Sequence, residues 1–139
     1  MDRVLSSPGR AKETVSRPFL PMSLLDTTQL ALESAMSGSM LRQSLLANNL
    51  ANVDTPGYQP QDVNFQGTLA AAIQSGQSPN QASFQPYTLN QQVSADGNGV
   101  NAEQQSAQLA ENGLLYQTMT QVAAQRESIL ENAMGIGQS

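Results

Sequence analysis

Asn48-Asn49-Leu50-Ala51-Asn52-Val53-Asp54-Thr55-Pro56-Gly57-Tyr58 is the stretch in which this chain changes direction. It follows an apolar-patterned run, so it reads as the last turn of a helix entering a tight turn. Thr55-Pro56-Gly57-Tyr58 fits a type II turn: proline presets φ at the second position and glycine supplies a positive φ at the third. A residue before proline is pushed out of the α region, so the helix is expected to end near Val53 or Asp54. Asn48, Asn49 and Asn52 sit in its last turns, where side-chain amides can reach backbone groups that a helix end leaves unpaired.

Towards the N-terminus, residues 26–53 read as one helix, about 40 Å long at ~1.5 Å per residue. Asp26 is a candidate N-cap with Gln29 three residues on, and Leu25 with Leu30 a candidate hydrophobic staple. Leu32, Met36, Met40, Leu46, Leu50 and Val53 fall on one face; Leu30, Leu41 and Leu45 fall roughly opposite. Two apolar faces imply burial on more than one side. The chain offers only one comparable helix, so the second face is expected to meet another subunit; the alternative is that the middle segment folds back over it. Ser37-Gly38-Ser39 is small enough to permit close packing. Residues 1–21 carry Pro8, Gly9, Pro18 and Pro21 and no periodicity, and are expected to be a disordered leader or extension.

Towards the C-terminus, residues 54–101 are polar and irregular. Residues 62–65 suggest a short extended piece, 68–74 a short helix and 76–81 an exposed loop. Phe84, Tyr87, Leu89 and Val93 alternate too little to define a strand. Asp96-Gly97-Asn98-Gly99 is a strong turn signal. Residues 102–134 then read as a second helix of about 50 Å, capped by Asn101 with Gln104 at the third helical position. A heptad runs through it. Leu109, Tyr116, Ala123 and Leu130 share one position; Leu115, Val122, Ile129 and Ile136 share the adjacent one; Asn112, Met119, Arg126 and Ala133 complete the stripe. Such a repeat supports a coiled-coil-like seam. Asn112 and Arg126 are its polar positions, either fixing register from inside or reaching out to water. A returning loop makes the two long helices antiparallel, and pairs Arg126 with Glu33 as an expected contact. The fold class is therefore mainly α: two long antiparallel terminal helices forming a coiled-coil-like pair, joined by a polar irregular segment with short strand or turn elements. Residues 22–139 are read as a single domain.

Composition narrows function by exclusion. The 139 residues contain no cysteine and no histidine, so disulfides, thiolate nucleophiles, imidazole bases and the usual zinc ligand sets are excluded. Glu127 and Glu131 lie four apart on one helix and read as a solvated face. No Gly-rich phosphate loop follows a strand. No catalytic, cofactor-binding or metal-ligating set is expected. Charge is sparse, and 18 Gln and 10 Asn fill the gap. Beyond the leader the cations are Arg42 and Arg126 against nine acids, which disfavours nucleic-acid binding. No apolar run reaches the ~20 residues that span a bilayer, and the N-terminus lacks the pattern of a cleaved secretory signal.

The string from Asn48 to Tyr58 resembles the signature of bacterial flagellar rod and hook axial proteins, Asn-x-x-Asn followed by Thr-x-Gly and an aromatic. The closer resemblance is to the short proximal rod proteins and covers Met22 to about Gly135. It is carried by Met22-Ser23-Leu24-Leu25-Asp26, by the signature running on into Gln61-Asp62-Val63-Asn64-Phe65, and by Asp96-Gly97-Asn98 leading to Ala110-Glu111-Asn112 and Leu115-Tyr116. The resemblance implies a structural subunit of the basal-body rod that transmits torque and surrounds the export channel. It implies export by the flagellar type III apparatus, a location running outward from the inner-membrane ring, and contacts with the ring adaptor and other rod subunits. Asn48, Asn49, Asn52, Thr55, Pro56, Gly57 and Tyr58 would be its assembly signature. Leu32, Met36, Leu46, Leu50, Leu109, Leu115, Tyr116, Met119, Val122, Ile129 and Leu130 would form its helix seam. A sibling short rod protein, or a secreted Gln-rich coiled-coil adaptor, are the competing readings.

Overall fold

The computed structural model describes residues 22–90 and 92–136, with backbone alone for residues 22–25 and 136. The expected leader at residues 1–21 and the Leu25 half of the staple lie outside that description. In chain order the elements are α1 (Met22–Ala51), β1 (Gln61–Asp62), α2 (Phe65–Gln74), a single 3-10 turn (Pro79–Gln81), β2 (Tyr87–Thr88) and α3 (Ala102–Ile136). The molecule is mainly helical, with α1 and α3 packed along each other and the middle segment laid against α1.

Helix α1 begins at Met22, not at Asp26. Met22, Leu24 and Leu25 are good helix formers, so the helix runs on through the expected cap and leaves Asp26 exposed within it. At the other end Ala51 is the last helical residue, and turns carry the chain to Gly57. Helix α3 starts where Asn101 caps it: Asn101 Oδ1 accepts from the Gln104 N–H at 2.9 Å.

The seam between the long helices follows alternating steps of four and three residues on α1: Leu32, Met36, Ser39, Gln43, Leu46 and Leu50. That spacing holds one stripe towards an antiparallel partner. Leu46 and Ser39 are wholly buried, and Met119 of α3 is nearly so. Asn112 is 1% exposed, so it does not reach out to water. Its Nδ2 donates to the Ser39 carbonyl and to Gln43 Oε1, both at 2.9 Å, and its Oδ1 accepts from Ser39 Oγ at 3.2 Å. Register is thus fixed by hydrogen bonds of definite length as well as by apolar shape. Extending that register places Glu33 across from residues 118–121, more than a turn short of Arg126. The expected Glu33–Arg126 pair is therefore out of register, and Glu33 accepts from Gln29 Nε2 on its own helix at 2.9 Å.

The second face of α1 is covered from within the chain, contrary to the expectation that another subunit covers it. Gly38, Arg42 and Leu45 share that face. Phe65, the first residue of α2, sits directly on Gly38, where an added Cβ would come within 2.5 Å of the Phe65 Cβ. Val63, Phe65, Leu69 and Ala72 are buried with Leu45. Phe84 closes on Phe65 edge to face, with ring centroids 6.3 Å apart. Ser34 Oγ donates to the Pro79 carbonyl at 2.9 Å and so ties the 3-10 turn down. The middle segment was too polar, by sequence, to predict such packing; it succeeds with a few apolar residues because glycine lets them approach the helix axis. Met40, expected on the buried face, is 60% exposed.

A two-residue antiparallel ladder pairs Gln61 with Thr88 and Asp62 with Tyr87. Asp62 also closes a bidentate pair with Arg42 of α1, at 2.9 and 3.1 Å. The ladder is thereby anchored to the helix beside the turn.

Candidate assembly site

The turn after α1 has the geometry its residues dictate. Gly57 has φ of 71°, and the Tyr58 N–H donates to the Thr55 carbonyl at 3.2 Å. A positive φ at the third position with proline at the second is a type II turn. Asn52 Nδ2 donates back to the Asn48 carbonyl at 2.8 Å, satisfying one of the last helical carbonyls. Thr55 Oγ1 donates to Asn52 Oδ1 at 3.1 Å.

Asn49 is the hub. Its side chain is wholly buried. Nδ2 donates to the Gln61 carbonyl (2.7 Å) and to Gln105 Oε1 (2.8 Å); Oδ1 accepts from the Gln61 N–H (3.0 Å) and from the Tyr58 hydroxyl (3.2 Å). All the common bonding capacity of one carboxamide is used. Because the Gln61 backbone donor and acceptor are unambiguous, they fix which way the Asn49 amide points. One side chain on α1 thus ties together the turn, β1 and the first turn of α3.

Asn98 closes the same end from the opposite side. Its side chain is buried, and Nδ2 lies 3.0, 2.8 and 2.7 Å from the carbonyl oxygens of Asn52, Val53 and Thr55. Its Oδ1 accepts from the Val100 N–H at 2.7 Å. Two backbone bonds stitch the strands of this corner: the Gly57 N–H to the Asp96 carbonyl and the Gly99 N–H to the Tyr58 carbonyl. The carbonyls of the turn that follows α1 are therefore capped by a residue more than forty positions away in sequence.

The signature residues divide into two sets. Asn49 is buried and Asn52 and Tyr58 half-buried, so these face inward; Asn48, Thr55, Pro56 and Gly57 are exposed. Of the seam residues, Leu46 and Met119 are buried, and Leu32, Met36, Leu50, Leu109, Leu115 and Tyr116 are half-buried. Val122, Ile129 and Leu130 are 43%, 58% and 39% exposed, so the intramolecular pair does not bring them into the seam. Beside the seam, an open groove of about 390 Å³ is lined by Ser39, Met40, Gln43, Asn112, Gly113, Tyr116 and Gln117. Leu114 and Met134, each 67% exposed, add to the apolar surface of α3.

Sequence reasoning read residues 96–99 as a turn and residues 96–98 as part of the family resemblance, with no capping role, and it missed Gln105. A signal for Gln105 was present: Asn112, Met119 and Arg126 repeat every seven residues, and one heptad earlier stands Gln105. Nothing comparable pointed to the capping role of Asn98, which needs the chain to return to a distant helix end. Among the described residues no group of His, Cys, Asp and Glu is placed to hold a metal ion, and no helix is long and apolar enough to cross a membrane.

Residues 30–59, which run from the middle of α1 through the turn, match the family described as "Flagella basal body rod protein". The chain is 34% identical over 117 residues to the flagellar basal body rod protein FlgB of Escherichia coli K12, covering 68% of this chain and 85% of that protein. It is 31% identical over 136 residues to FlgB of Salmonella typhimurium, covering 81% and 99%. FlgB of Bacillus subtilis is 29% identical over 112 residues, covering 72% and 87%. A turn locked by Asn49, a helix pair around it, and likeness over most of the length of these relatives together make this chain a member of the FlgB family of flagellar basal body rod proteins.

Proposed function

We propose that this chain is a subunit of the proximal part of the rod, where it transmits torque and surrounds the export channel. The observation that carries this reading is the incompleteness of the helix pair. Val122, Ile129, Leu130 and Met134 lie exposed on the C-terminal half of α3, and apolar groups so placed on a helix are what further packing would cover. Two long helices per subunit, about 45 and 52 Å at ~1.5 Å per residue, supply stiffness along a shaft. Other rod subunits and the adaptor at the inner-membrane ring are the partners this placement requires. The exposed half of the signature (Asn48, Thr55, Pro56, Gly57) would meet a neighbour, while Asn49 holds its shape from beneath. A chain without disulfides suits passage through the type III apparatus as an unfolded polypeptide, ahead of assembly outside the cytoplasm. The likeness to FlgB proteins favours the proximal rod over a secreted coiled-coil adaptor.

Cryo-electron microscopy of basal bodies from the source organism tests the placement. The expected map puts this chain in a ring at the base of the rod, with residues 48–58 at a subunit junction. Rod density that cannot accommodate this sequence would overturn the reading.

A further inference from the structure

The corner that caps the turn after α1 contains the dipeptide Asn98-Gly99. In such a pair the glycine amide nitrogen meets no side chain as it approaches Cγ of the asparagine before it. Asn112-Gly113 is the other such pair, and these two are the most readily cyclised of the asparagine contexts in this chain. Here the folded corner holds every atom that the reaction needs. Asn98 is 3% exposed. Its Nδ2 is engaged with three carbonyls and its Oδ1 with the Val100 N–H, while the Gly99 N–H donates to the Tyr58 carbonyl at 3.0 Å. Cyclisation needs the Gly99 nitrogen free and Cγ turned towards it, so these bonds must break together.

We propose that Asn98 is a deamidation site of the unfolded chain which folding closes, and that modification destroys the cap that folding needs. The Gly99 nitrogen loses its proton to solvent base and bonds to Cγ of Asn98. Nδ2 takes up a proton and leaves as ammonia, giving a five-membered imide. Water then adds to one of the two imide carbonyls and breaks its bond to nitrogen. The product is an aspartate, or an isoaspartate whose main chain runs through Cγ. Water is the only co-reactant, and nothing is oxidised or reduced. Both products lack the Nδ2 donor, and the aspartate turns a carboxylate, which has no donor when ionised, towards the carbonyl oxygens of Asn52, Val53 and Thr55. The isoaspartate also adds a methylene to the backbone of a corner closed by the Gly57 and Gly99 hydrogen bonds. The chain thus carries a chemical record of time spent unfolded, written at the residue that caps the turn after α1.

The test incubates the full chain in mildly alkaline buffer across a series of urea concentrations. Deamidation at each asparagine is followed by peptide mass spectrometry, and helix content by circular dichroism on the same samples. In high urea Asn98 should react faster than Asn80 and Asn90, each of which precedes glutamine. Without urea it should react at least about tenfold more slowly than in high urea, which needs only about 1.4 kcal/mol of opening free energy. Across the series its rate should follow the unfolded fraction. Equal rates at Asn98 in the folded and unfolded chain would overturn the proposal, as would an Asn98 no faster than Asn80 in urea. The consequence is tested separately by Asn98→Asp, which should unfold at lower urea than the parent; an unchanged midpoint would show that the cap survives modification.

Discussion

Asn49 on α1 and Gln105 on α3 meet amide to amide, with Asn49 Nδ2 donating to Gln105 Oε1 at 2.8 Å between two wholly buried side chains. The Asn49 amide also holds both backbone groups of Gln61 and the Tyr58 hydroxyl. Replacing it with leucine, of similar size, strips these partners from the buried Gln105 amide and from the part-buried Gln61 and Tyr58 groups. Each such loss costs about 1–3 kcal/mol, and members of one network do not add simply. Asn49→Leu should therefore destabilise the chain by about 2–4 kcal/mol, read as a lower midpoint in urea unfolding. Asn49→Asp should fare no better, because a carboxylate cannot donate to Gln61 or Gln105. Asn48→Ala, at an exposed position, should leave the midpoint nearly unchanged.

Two helical glycines should respond to alanine with opposite signs. A Cβ at Gly113 in α3 would meet nothing within 4 Å, whereas one at Gly38 in α1 would lie 2.5 to 2.8 Å from Phe65. Alanine is favoured over glycine inside a helix by ~1 kcal/mol, so Gly113→Ala should stabilise by about that amount. At Gly38 the same gain is outweighed by displacement of Phe65 from Leu45 and Phe84, and overpacking typically costs about 1–3 kcal/mol. Gly38→Ala should lower the thermal midpoint while Gly113→Ala raises it. A rise at both would mean that α2 does not pack on Gly38 as described.

These two sites show what the sequence could and could not convey. The helix pair and the turn were legible because each is written locally: heptad spacing from Leu109 onward, and proline before glycine at Pro56-Gly57. The covering of the second face of α1 was not, because Gly38 is a receptor for Phe65 only once the chain folds back. Asn98 was legible as a turn residue but not as a cap, since its carbonyl partners lie more than forty residues earlier. The start of α1 was misplaced because Asp26 has the chemistry of a cap, while the residues before it have stronger helical preference. Val122 and Ile129 belong to the heptad by spacing, yet spacing alone does not say whether a seam closes within one chain.

Gly57 is a purer case of backbone conformation. Its φ is 71°, and an added Cβ would meet nothing within 4 Å. Any loss on substitution is then strain of the left-handed conformation alone, about 1–2 kcal/mol for an ordinary residue and less for asparagine. Stability should rank Gly57 above Gly57→Asn, then Gly57→Ala, then Gly57→Val, measured by urea unfolding of the four chains. Gly57→Ala as stable as the parent would mean that the turn can flip to a form with negative φ.

The Arg42–Asp62 pair joins α1 to β1 with side chains 19% and 9% exposed. Asp62 Oδ1 also accepts from the Val63 N–H at 2.7 Å. Removing one partner strands the other in a partly desolvated place, whereas removing both exchanges a buried pair for apolar contact. Arg42→Met should therefore cost more than the double substitution Arg42→Met with Asp62→Leu. A double-mutant cycle on urea unfolding should give a coupling of about 1–3 kcal/mol. A coupling near zero would make the pair a surface contact, worth no more than an ordinary exposed ion pair.

The exposed stripe of α3 separates folding from assembly. Val122 and Ile129 are 43% and 58% exposed in the single chain, so a charge there meets water and should change stability by less than about 0.5 kcal/mol. In an assembled rod that buries the stripe, the same charge would be desolvated without a partner, a cost of several kcal/mol at each subunit contact. Val122→Asp with Ile129→Asp should then leave helix content and the urea midpoint of the isolated chain intact, yet abolish swimming when it replaces the parent gene. Gln121→Glu on the exposed surface of the same helix adds one negative charge away from the stripe and should leave swimming intact. Normal motility with the double substitution would show that this stripe stays in water after assembly. The incompleteness of the helix pair would then have to be met elsewhere, and the groove beside Met40 and Gly113 would be the next surface to challenge in the same way.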